Sequence, residues 1–269
     1  MKVSIITSVY NNKHQIKQAI DSVLSQSYEN IEYIIIDGAS TDGTINIIKS
    51  YKDKISKFIS EPDEGIYSGL NKGIDLATGD IIGFLHSDDF YVDSYVVENI
   101  MKIFNNNECD GVYGDLIYVD QKDTDKIIRY WKSGEFEYKN LEKGWMPPHP
   151  AFFVRKEIYN KFGYFDTDFK IAADYNFMLK ILIDKKMRIH YLPKVLYVMR
   201  VGGESNKSLK NIWQKSKEDL MALKRNRIGG IRTLIKKNIS KIYQFGLWGG
   251  HCNAAMGGSG IGNKLTLNK

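Results

Sequence analysis

Three features of the sequence predict an α/β fold with a mixed, mainly parallel sheet flanked by helices and a C-terminal helical extension. Strand-like and helix-like segments alternate through the first 90 residues, which is the pattern of βαβ units. Several predicted strands stop at aspartates, at the sheet edge where such folds bind ligands. After residue 206 the sequence becomes strongly basic. With 269 residues, 43% of them hydrophobic, we expect one domain with a sizeable core.

Hydrophobic runs and helical periodicity define the elements of the first 90 residues. In the first predicted helix the apolar residues recur at the spacing of one helical face. The strands are predicted at residues 3–10, 31–36, 55–60 and 80–85, and the helices at 16–24, 45–51 and 66–76. The second strand ends at Asp37, which the small-residue turn of residues 38–44 follows. Asp37 is therefore a candidate for the ligand edge of the sheet or simply a turn aspartate.

The fourth strand ends in two adjacent carboxylates, Asp88 and Asp89. A hard cation such as Mg²⁺ takes a few carboxylate oxygens together with phosphate oxygens, and it neutralises the charge of a departing diphosphate. These residues therefore indicate a site for a metal and a diphosphate. Asp is also a favoured N-cap, so Asp89 is alternatively the cap of a helix predicted over residues 92–104. This stretch alone leaves both interpretations open.

The second half of the chain mixes strands, loops and helices. Residues 111–118 and 127–131 resemble two strands joined by a charged hairpin, and a further strand is predicted at 196–200. Three prolines within residues 147–150 predict a stiff loop without helix around His149. A helix is predicted to begin near Asp174, where an acid also suits the helix dipole.

Several protein classes are excluded or disfavoured by what the sequence lacks. It contains neither the Gly-x-Gly-x-x-Gly motif of dinucleotide-binding enzymes nor a P-loop. The two cysteines, Cys109 and Cys252, form no disulfide framework, which favours a reduced, cytoplasmic setting. No apolar run approaches the roughly 18 residues that a spanning helix needs, so we expect a soluble or peripheral protein.

Six motifs in order resemble the successive signatures of family 2 glycosyltransferases, which have the Rossmann-like GT-A fold. They are residues 3–11, Ile35-Ile36-Asp37-Gly38-Ala39-Ser40-Thr41-Asp42-Gly43-Thr44, Glu61-Pro62-Asp63-Glu64-Gly65-Ile66-Tyr67, Asn71-Lys72-Gly73-Ile74, Ala77-Thr78-Gly79 and His86-Ser87-Asp88-Asp89. The resemblance implies an inverting transferase that moves a sugar from a nucleotide-diphospho-sugar donor. It also implies Mg²⁺ or Mn²⁺ as cofactor, with residues 1–110 as the nucleotide-sugar half and residues 111–206 as the acceptor half.

The resemblance assigns roles to residues of this sequence. It places Ser8 and Tyr10 against the nucleotide base, Asp88 near the ribose and diphosphate, and Asp89 on the metal. In Ala173-Asp174 it implies that Asp174 is the catalytic base.

Three further residues are candidates with open alternatives. Asp63 is expected to bind the ribose or donor sugar, or to be a solvated turn acid. His149 is expected near the donor phosphates or acceptor, or as a structural hydrogen-bonding residue. Arg200 is expected to offer positive charge to the leaving diphosphate, or to form a surface salt bridge.

One departure from the family pattern bears on the donor. Many relatives carry two aspartates at the end of the second strand, and the second helps to bind a uracil ring. Gly38 occupies that position here. The departure disfavours UDP as the donor nucleotide and leaves GDP and dTDP sugars open.

The C-terminal region has its own character. Residues 1–206 carry a net charge of −5 and residues 207–269 one of +11. Residues 207–248 are predicted to form a basic amphipathic extension, because the spacing of Leu209, Ile212, Trp213, Ser216 and Leu220 is typical of an amphipathic helix. Such helices are typical of anionic membrane surfaces, while a packed helix pair with a solvated basic face is the alternative. Nucleic acid is disfavoured because no recognised motif accompanies the charge. Residues 249–269 are predicted to be a loose Gly-rich tail.

The combined hypothesis is a metal-dependent glycosyltransferase that acts on a hydroxyl of a glycan or lipid-linked glycan at the inner face of the cell membrane. The resemblance suggests a role in bacterial capsule or O-antigen assembly. A nucleotidyltransferase and a non-catalytic nucleotide-sugar-binding protein are the alternatives.

Overall fold

The computed structural model describes residues 1–202 and 208–246. Within them a nine-stranded mixed sheet carries helices on both faces. The predicted tail at 249–269 and residues 203–205 of the loop after Arg200 lie outside the described residues.

The strands form one sheet whose order is β3-β2-β1-β4-β8-β6-β9-β5, with β7 paired to β6. The pairings β1/β2, β1/β4, β2/β3 and β6/β9 are parallel, and those of β5, β7 and β8 are antiparallel. The strands are β1 (Val3–Val9), β2 (Ile31–Asp37), β3 (Lys57–Ser60), β4 (Ile81–Phe84), β5 (Phe90–Tyr91), β6 (Gly111–Val119), β7 (Ile127–Trp131), β8 (Phe152–Arg155) and β9 (Ile189–Arg200). The mainly parallel sheet predicted from the alternating pattern is confirmed.

Helices cover the two faces of this sheet. They are α1 (Ile16–Leu24), α2 (Thr44–Lys49), α3 (Ile66–Leu76), α4 (Val96–Asn106), α5 (Tyr138–Leu141), α6 (Lys156–Phe162), α7 (Ala173–Leu182), α8 (Leu209–Arg225) and α9 (Ile231–Gly246). A 3-10 turn spans His149–Ala151. The bounds predicted for α1 and α3 are those observed.

Successive residues of the central strands point to opposite cores, as the period of two in a strand requires. Ile5 packs in the cluster that contains α1 and α4, whereas Ile6 packs in the one that contains α3 and α7. Both faces of β1 are fully buried, which explains its continuous apolar run.

Three local predictions differ from the structure. Helix α4 begins at Val96 with Tyr95 as its N-cap, so Asp89 is not a helix cap. Phe90 and Tyr91 form strand β5 instead, paired with Val198 and Tyr197 of β9. A strand of two residues is too short for the alternation of side chains to be visible in the sequence. The loop predicted to be free of helix contains one 3-10 turn, which Pro tolerates at the start because no N–H is needed there.

The extension packs against the α7 side of the sheet rather than standing apart from it. Ala222, Leu223, Ile228 and Leu234 belong to the same buried cluster as the α7 side chains. In the described part of the chain, no helix is both long and apolar enough to cross a bilayer.

The buried face of α8 contains two carboxylates. Ile212 and Trp213, two of the residues whose spacing predicted an amphipathic helix, are 46% and 65% exposed, while Glu218 and Asp219 are buried at 2% exposure. The carboxylates turn inward because each finds hydrogen-bond or ion-pair donors there. Lys237 of α9 is one of these partners: it is 3% exposed, with its Nζ 3.0 Å from Oδ1 of Asp219.

Candidate functional site

The carboxyl ends of β1, β2 and β3 meet at one edge of the sheet, and Asp37 lies there. It is aligned with Val9 of β1 and Ser60 of β3. Its Oδ2 accepts hydrogen bonds from the Ser40 N–H at 2.9 Å and the Ser60 hydroxyl at 2.7 Å. Its Oδ1 is buried without a hydrogen-bond partner among the described residues, which leaves an acceptor for an incoming N–H or O–H donor.

Ser8 and Asp63 lie beside Asp37 because two glycines let them approach. A Cβ on Gly69 would clash with Oγ of Ser8 and lie 3.3 Å from Oδ2 of Asp63. A Cβ on Gly38 would lie 3.1 Å from the same Asp63 oxygen. The space that a second aspartate would take at position 38 thus borders the Asp63 carboxylate.

Tyr10 has an exposed ring, whereas Asp63 accepts a hydrogen bond within its own turn. Tyr10 follows β1 and is 65% exposed, the pattern of a ring available to a ligand. Oδ1 of Asp63 accepts the Gly65 N–H at 2.9 Å, a local turn contact that leaves Oδ2 facing the two glycines.

Asp88 and Asp89 follow β4, and only Asp89 is buried, at 1% exposure. Oδ1 of Asp89 accepts the Arg200 N–H at 2.9 Å. Burial, together with the charge of Asp88, raises the pKa of Asp89 well above its usual range. An anionic Asp89 is therefore costly in the protein alone, and a cation beside it would remove that cost.

The donor set fits a divalent cation that brings its own phosphate ligands. Within residues 1–202 and 208–246, no cluster of three or more His, Cys, Asp or Glu forms a complete protein metal site. Mg²⁺ bound with a nucleotide needs only one or two carboxylates, since phosphates and water complete its shell. Asp88 and Asp89 supply that number.

Arg200 lies next to these carboxylates but its guanidinium is already engaged. It donates to the Asp88 carbonyl and to Oε1 of Gln18, and it stacks 5.1 Å from the centre of the Phe90 ring. The side chain is 6% exposed. Arg200 is thus not a surface salt bridge; it fixes the backbone of the acidic pair.

Asp174 is the second residue of α7, and a tyrosine from the other half of the domain reaches it. The Tyr67 hydroxyl lies 3.0 Å from Oδ1 of Asp174 and 2.7 Å from the Ile171 carbonyl oxygen. Oδ1 also accepts the Tyr175 N–H at 2.7 Å. Burial, and then the charge of Asp174, raises the pKa of Tyr67 well above its usual range, so Tyr67 stays a protonated donor.

His86 and His149 lie between Asp174 and the acidic pair. Their ring centres are 6.4 Å apart, and His149 stacks on Phe84 at 5.2 Å. Burial lowers the pKa of His86, while the charges of Asp88 and Asp174 oppose that shift. Asp88 and Asp174, 86 residues apart in sequence, therefore act on the same imidazole.

Burial also lowers the pKa of His149, to about 4, against the opposing charge of Asp174. Its Nε2 is buried with no hydrogen-bond partner among the described residues. His149 is thus a neutral ring in the wall beside Asp174, and the structure brings it to the predicted site.

Two groups at this site were missed by the sequence analysis. Tyr67 sits in one of the recognised motifs, but its contact with Asp174 spans 107 residues and has no local signal. The Glu218 carboxylate of α8 accepts three backbone N–H groups, those of Lys170, Ile171 and Ala172, immediately before α7. No sequence pattern marks a glutamate for that contact.

Comparison with known proteins identifies the family of this chain. The profile of the family described as "Glycosyl transferase family 2" matches residues 4–165. A "PGL/p-HBAD biosynthesis glycosyltransferase" of Mycobacterium bovis (strain BCG / Pasteur 1173P2) is 26% identical over 208 residues, covering 76% of this chain and 78% of the relative. An "Uncharacterized glycosyltransferase" of Haemophilus influenzae is 29% identical over 238 residues, covering 86% and 92%.

Solved structures share the fold. S. aureus TarS 1-349 in complex with UDP-GlcNAc superposes with a TM-score of 0.65 at 20% identity, over 83% of this chain. The chain spans just under two thirds of that protein, 66%. The mannosyltransferase PcManGT from Pyrobaculum calidifontis, in complex with GDP-Man and Mn²⁺, superposes with a TM-score of 0.63 at 17% identity, over 98% and 78%. The family profile covers more than half of the sequence and the sheet has the matching topology, so the chain belongs to glycosyl transferase family 2 and is a glycosyltransferase with the GT-A fold.

Proposed function

We propose that this glycosyltransferase inverts the anomeric centre of a nucleotide-diphospho-sugar and that Asp174 is its general base. The observation that carries the proposal is the convergence of acids from separate elements. His86 lies within the field of Asp88 and Asp174, and Tyr118 within that of Asp89 and Asp174. The charge of Asp174 and those of the acidic pair thus act on the same two aromatic side chains, which supports a single cleft for the acceptor hydroxyl and the diphosphate.

The order of bond changes follows from acidities. A free hydroxyl is too weak an acid for an aspartate to deprotonate beforehand, so proton transfer to Asp174 occurs late, as the bond to the leaving group breaks. Oδ1 accepts the Tyr175 N–H and shares the Tyr67 hydroxyl with the Ile171 carbonyl, which leaves Oδ2 as the oxygen that takes the proton. The base is held in place before the reaction, as electrostatic preorganisation requires.

Asp89, with Asp88 beside it, would hold Mg²⁺ or Mn²⁺. When bound, the metal neutralises negative charge that develops on the diphosphate. Arg200 keeps the Asp88 backbone fixed through its carbonyl and adds positive charge at this end of the cleft.

The donor is proposed to lie along the sheet edge from the Asp37 group to Asp88. The unpartnered Oδ1 of Asp37 and Oδ2 of Asp63 are acceptors, which suits the N–H groups of a nucleobase or the hydroxyls of a ribose. UDP, GDP and dTDP all offer such donors, and the named neighbours bind UDP-GlcNAc and GDP-Man.

The test combines one variant with a donor panel. Asp174→Asn should fold and bind donor with Mn²⁺ like the wild type but lose transfer by about three orders of magnitude, as removal of a positioned base does. Thermal shifts with UDP, GDP and dTDP, each with and without Mn²⁺, measure binding. Near-normal transfer by the variant would remove Asp174 from the mechanism.

Product analysis separates the alternatives. Sugar transfer releases a nucleoside diphosphate, whereas a nucleotidyltransferase releases pyrophosphate. If neither nucleoside diphosphate nor pyrophosphate is released from UDP-, GDP- or dTDP-sugars, that result would favour a binding protein without turnover.

We further propose that the acceptor is a glycan or lipid-linked glycan and that the extension holds the enzyme at the anionic inner face of the cell membrane. Ile231, Ile235 and Ile239 are 46–57% exposed and recur every four residues along α9. Exposed Arg232 and Lys236 flank them. An apolar stripe beside cations suits an anionic lipid surface.

A further inference from the structure

The α8 helix places a buried carboxylate against the segment that leads into the base helix. Glu218 is 2% exposed. Its Oε2 accepts the N–H groups of Ile171 at 2.8 Å and Ala172 at 2.9 Å, and its Oε1 accepts that of Lys170 at 3.1 Å. The Gln214 amide donates to Oε1 at 2.7 Å. Four donors therefore compensate the cost of burying this charge.

A second contact from α8 holds the same segment further upstream. Arg225 lies 2.5 Å from Oδ2 of Asp166, and its guanidinium lies 5.0 Å from the centre of the Phe169 ring. Asn226 donates to the side-chain oxygen of Asn176 at 3.0 Å. The extension thus grips residues 166–176 on both sides of Asp174.

The segment that Glu218 holds is the one that orients the base. Glu218 accepts the Ile171 N–H while the carbonyl of Ile171 accepts the Tyr67 hydroxyl. Tyr67 in turn contacts Oδ1 of Asp174. Helix α7 begins at Ala173 after an N-cap, Ala172, without a capping side chain. Glu218 is therefore the side chain that fixes the entry to α7.

We infer that Glu218 is a positioning residue for the proposed catalytic base, acting through the backbone of residues 170–172 and through Tyr67 on Asp174. This inference rests on the proposed function of Asp174. It makes the C-terminal extension part of the machinery for transfer, in addition to any role at a membrane. A base displaced by about 1 Å can cost about 100-fold in rate, so a local change of this backbone is sufficient for a kinetic effect.

The experiment replaces one of the two acceptor oxygens without changing side-chain size. Glu218→Gln puts an NH2 group where one of these oxygens accepts N–H donors and removes the negative charge, which loosens the hold on the 170–172 segment. With the donor of the UDP-GlcNAc, UDP-glucose, GDP-mannose and dTDP-rhamnose panel that turns over fastest, we expect kcat to fall at least tenfold and the donor KM to stay within twofold. Unchanged kcat in a folded Glu218→Gln protein would overturn the inference.

Asp219→Asn is the matched control. Asp219 is the next residue on α8 and equally buried, but it pairs with Lys215 and Lys237 rather than with the α7 entry. It should lower the melting temperature yet keep kcat within twofold, measured well below the melting transition. An equal loss of kcat in both variants would show that Glu218 only stabilises the fold.

Two further variants keep the inference separate from the proposed function. If Glu218 acts through Tyr67, then Glu218→Gln should lower kcat less than threefold in a Tyr67→Phe background; fully additive losses would contradict that route.

If Asp174→Asn keeps its transfer rate, the proposed function of Asp174 is wrong whatever Glu218→Gln does. Should Glu218→Gln not fold, Gln214→Met removes one donor from the same carboxylate and should lower kcat about threefold, and wild-type kcat there would overturn the inference.

Discussion

At the scale of single residues, the site depends on where carboxylates are left without partners. Asp37 keeps one free buried oxygen and Asp63 turns one toward two glycines. Asp89 carries a pKa raised by burial and by Asp88. A ligand that brings hydrogen-bond donors would satisfy the free oxygens of Asp37 and Asp63, and a cation would offset the cost of the buried charge of Asp89. The motifs and the strand ends predicted these residues as site candidates. The sequence did not show that Asp63 borders the space that a second aspartate at position 38 would fill.

His149 makes the free energy of unfolding depend on pH in the acid range. Its pKa falls to about 4 in the folded protein, from an ordinary value of 6.5, because it is buried. Below pH 6.5 the unfolded chain binds a proton that the folded protein refuses. Stability is therefore complete above pH 6.5 and is lost as the pH falls toward 4, by about 2 kcal/mol at pH 5.

We expect His149→Phe, which keeps a ring between Phe84 and Phe165, to remove this loss. Urea unfolding at pH 7.5 and pH 5 measures it as the difference in the free energy of unfolding. The exposed His14 gives the control, since His14→Gln should leave the wild-type pH dependence intact. Parallel decreases for wild type and His149→Phe would show that His149 is not the group responsible.

At the scale of elements, regular amphipathic patterns were predictable and buried charges were not. Helices α1 and α3 have the predicted bounds because their apolar residues follow one face. Helix α8 broke this rule, since its buried face contains Glu218 and Asp219. A carboxylate turns inward only when tertiary partners satisfy it, and those partners, the 170–172 backbone and Lys237, come from other elements.

The pair of α8 and α9 should depend strongly on one buried ion pair. Asp219 and Lys237 are 2% and 3% exposed, and the Lys237 ammonium lies 3.0 Å from the centre of the Tyr175 ring. Asp219→Asn removes the carboxylate that both Lys215 and Lys237 face, so we expect it to lower the free energy of unfolding by about 3 kcal/mol. Lys237→Met should cost less, because Lys215 still pairs with Asp219.

The double variant Asp219→Asn/Lys237→Met should lose less stability than the sum of the two single variants, because their shared ion pair can be lost only once. Urea denaturation of the four proteins gives the coupling energy directly. Exposed Lys17→Met, which breaks the surface pair with Asp21, is the control and should leave the free energy of unfolding nearly unchanged, because solvent screens that pair. Simple additivity of the two buried substitutions would rule out the coupling.

At the scale of the whole molecule, folding joins residues that the sequence separates widely. Asp88 and Asp174 act on one histidine, and Tyr67 from α3 meets Asp174 of α7. The resemblance to a known family assigned Asp88 and Asp174 to one site but did not mark Tyr67, and periodicity alone gave only the separate elements. Hydrophobic patterns determine which faces are buried, but they carry no information on which strand ends become neighbours.

Charge is also arranged at this scale. Both acids of residues 207–269, Glu218 and Asp219, are buried and paired. The charged side chains that α8 and α9 expose, wherever burial is described, are therefore all basic. Because the isoleucine stripe of α9 lies among them, we expect the protein to sediment with vesicles of phosphatidylcholine and phosphatidylglycerol and to be released by salt.

The variant Ile231→Ser/Ile235→Ser/Ile239→Ser should lose at least tenfold in vesicle affinity while turnover of the soluble donor stays within twofold. Deleting the extension would not test this, because Glu218 leaves with it. Tyr95→Ser, at a side chain 45% exposed before α4, is the control for loss of an exposed apolar group and should bind vesicles normally. Two results would contradict membrane binding: wild-type protein that does not bind anionic vesicles, or a triple variant that changes only the concentration dependence of the mass in solution. Either would assign this face to contact with a second copy of the chain.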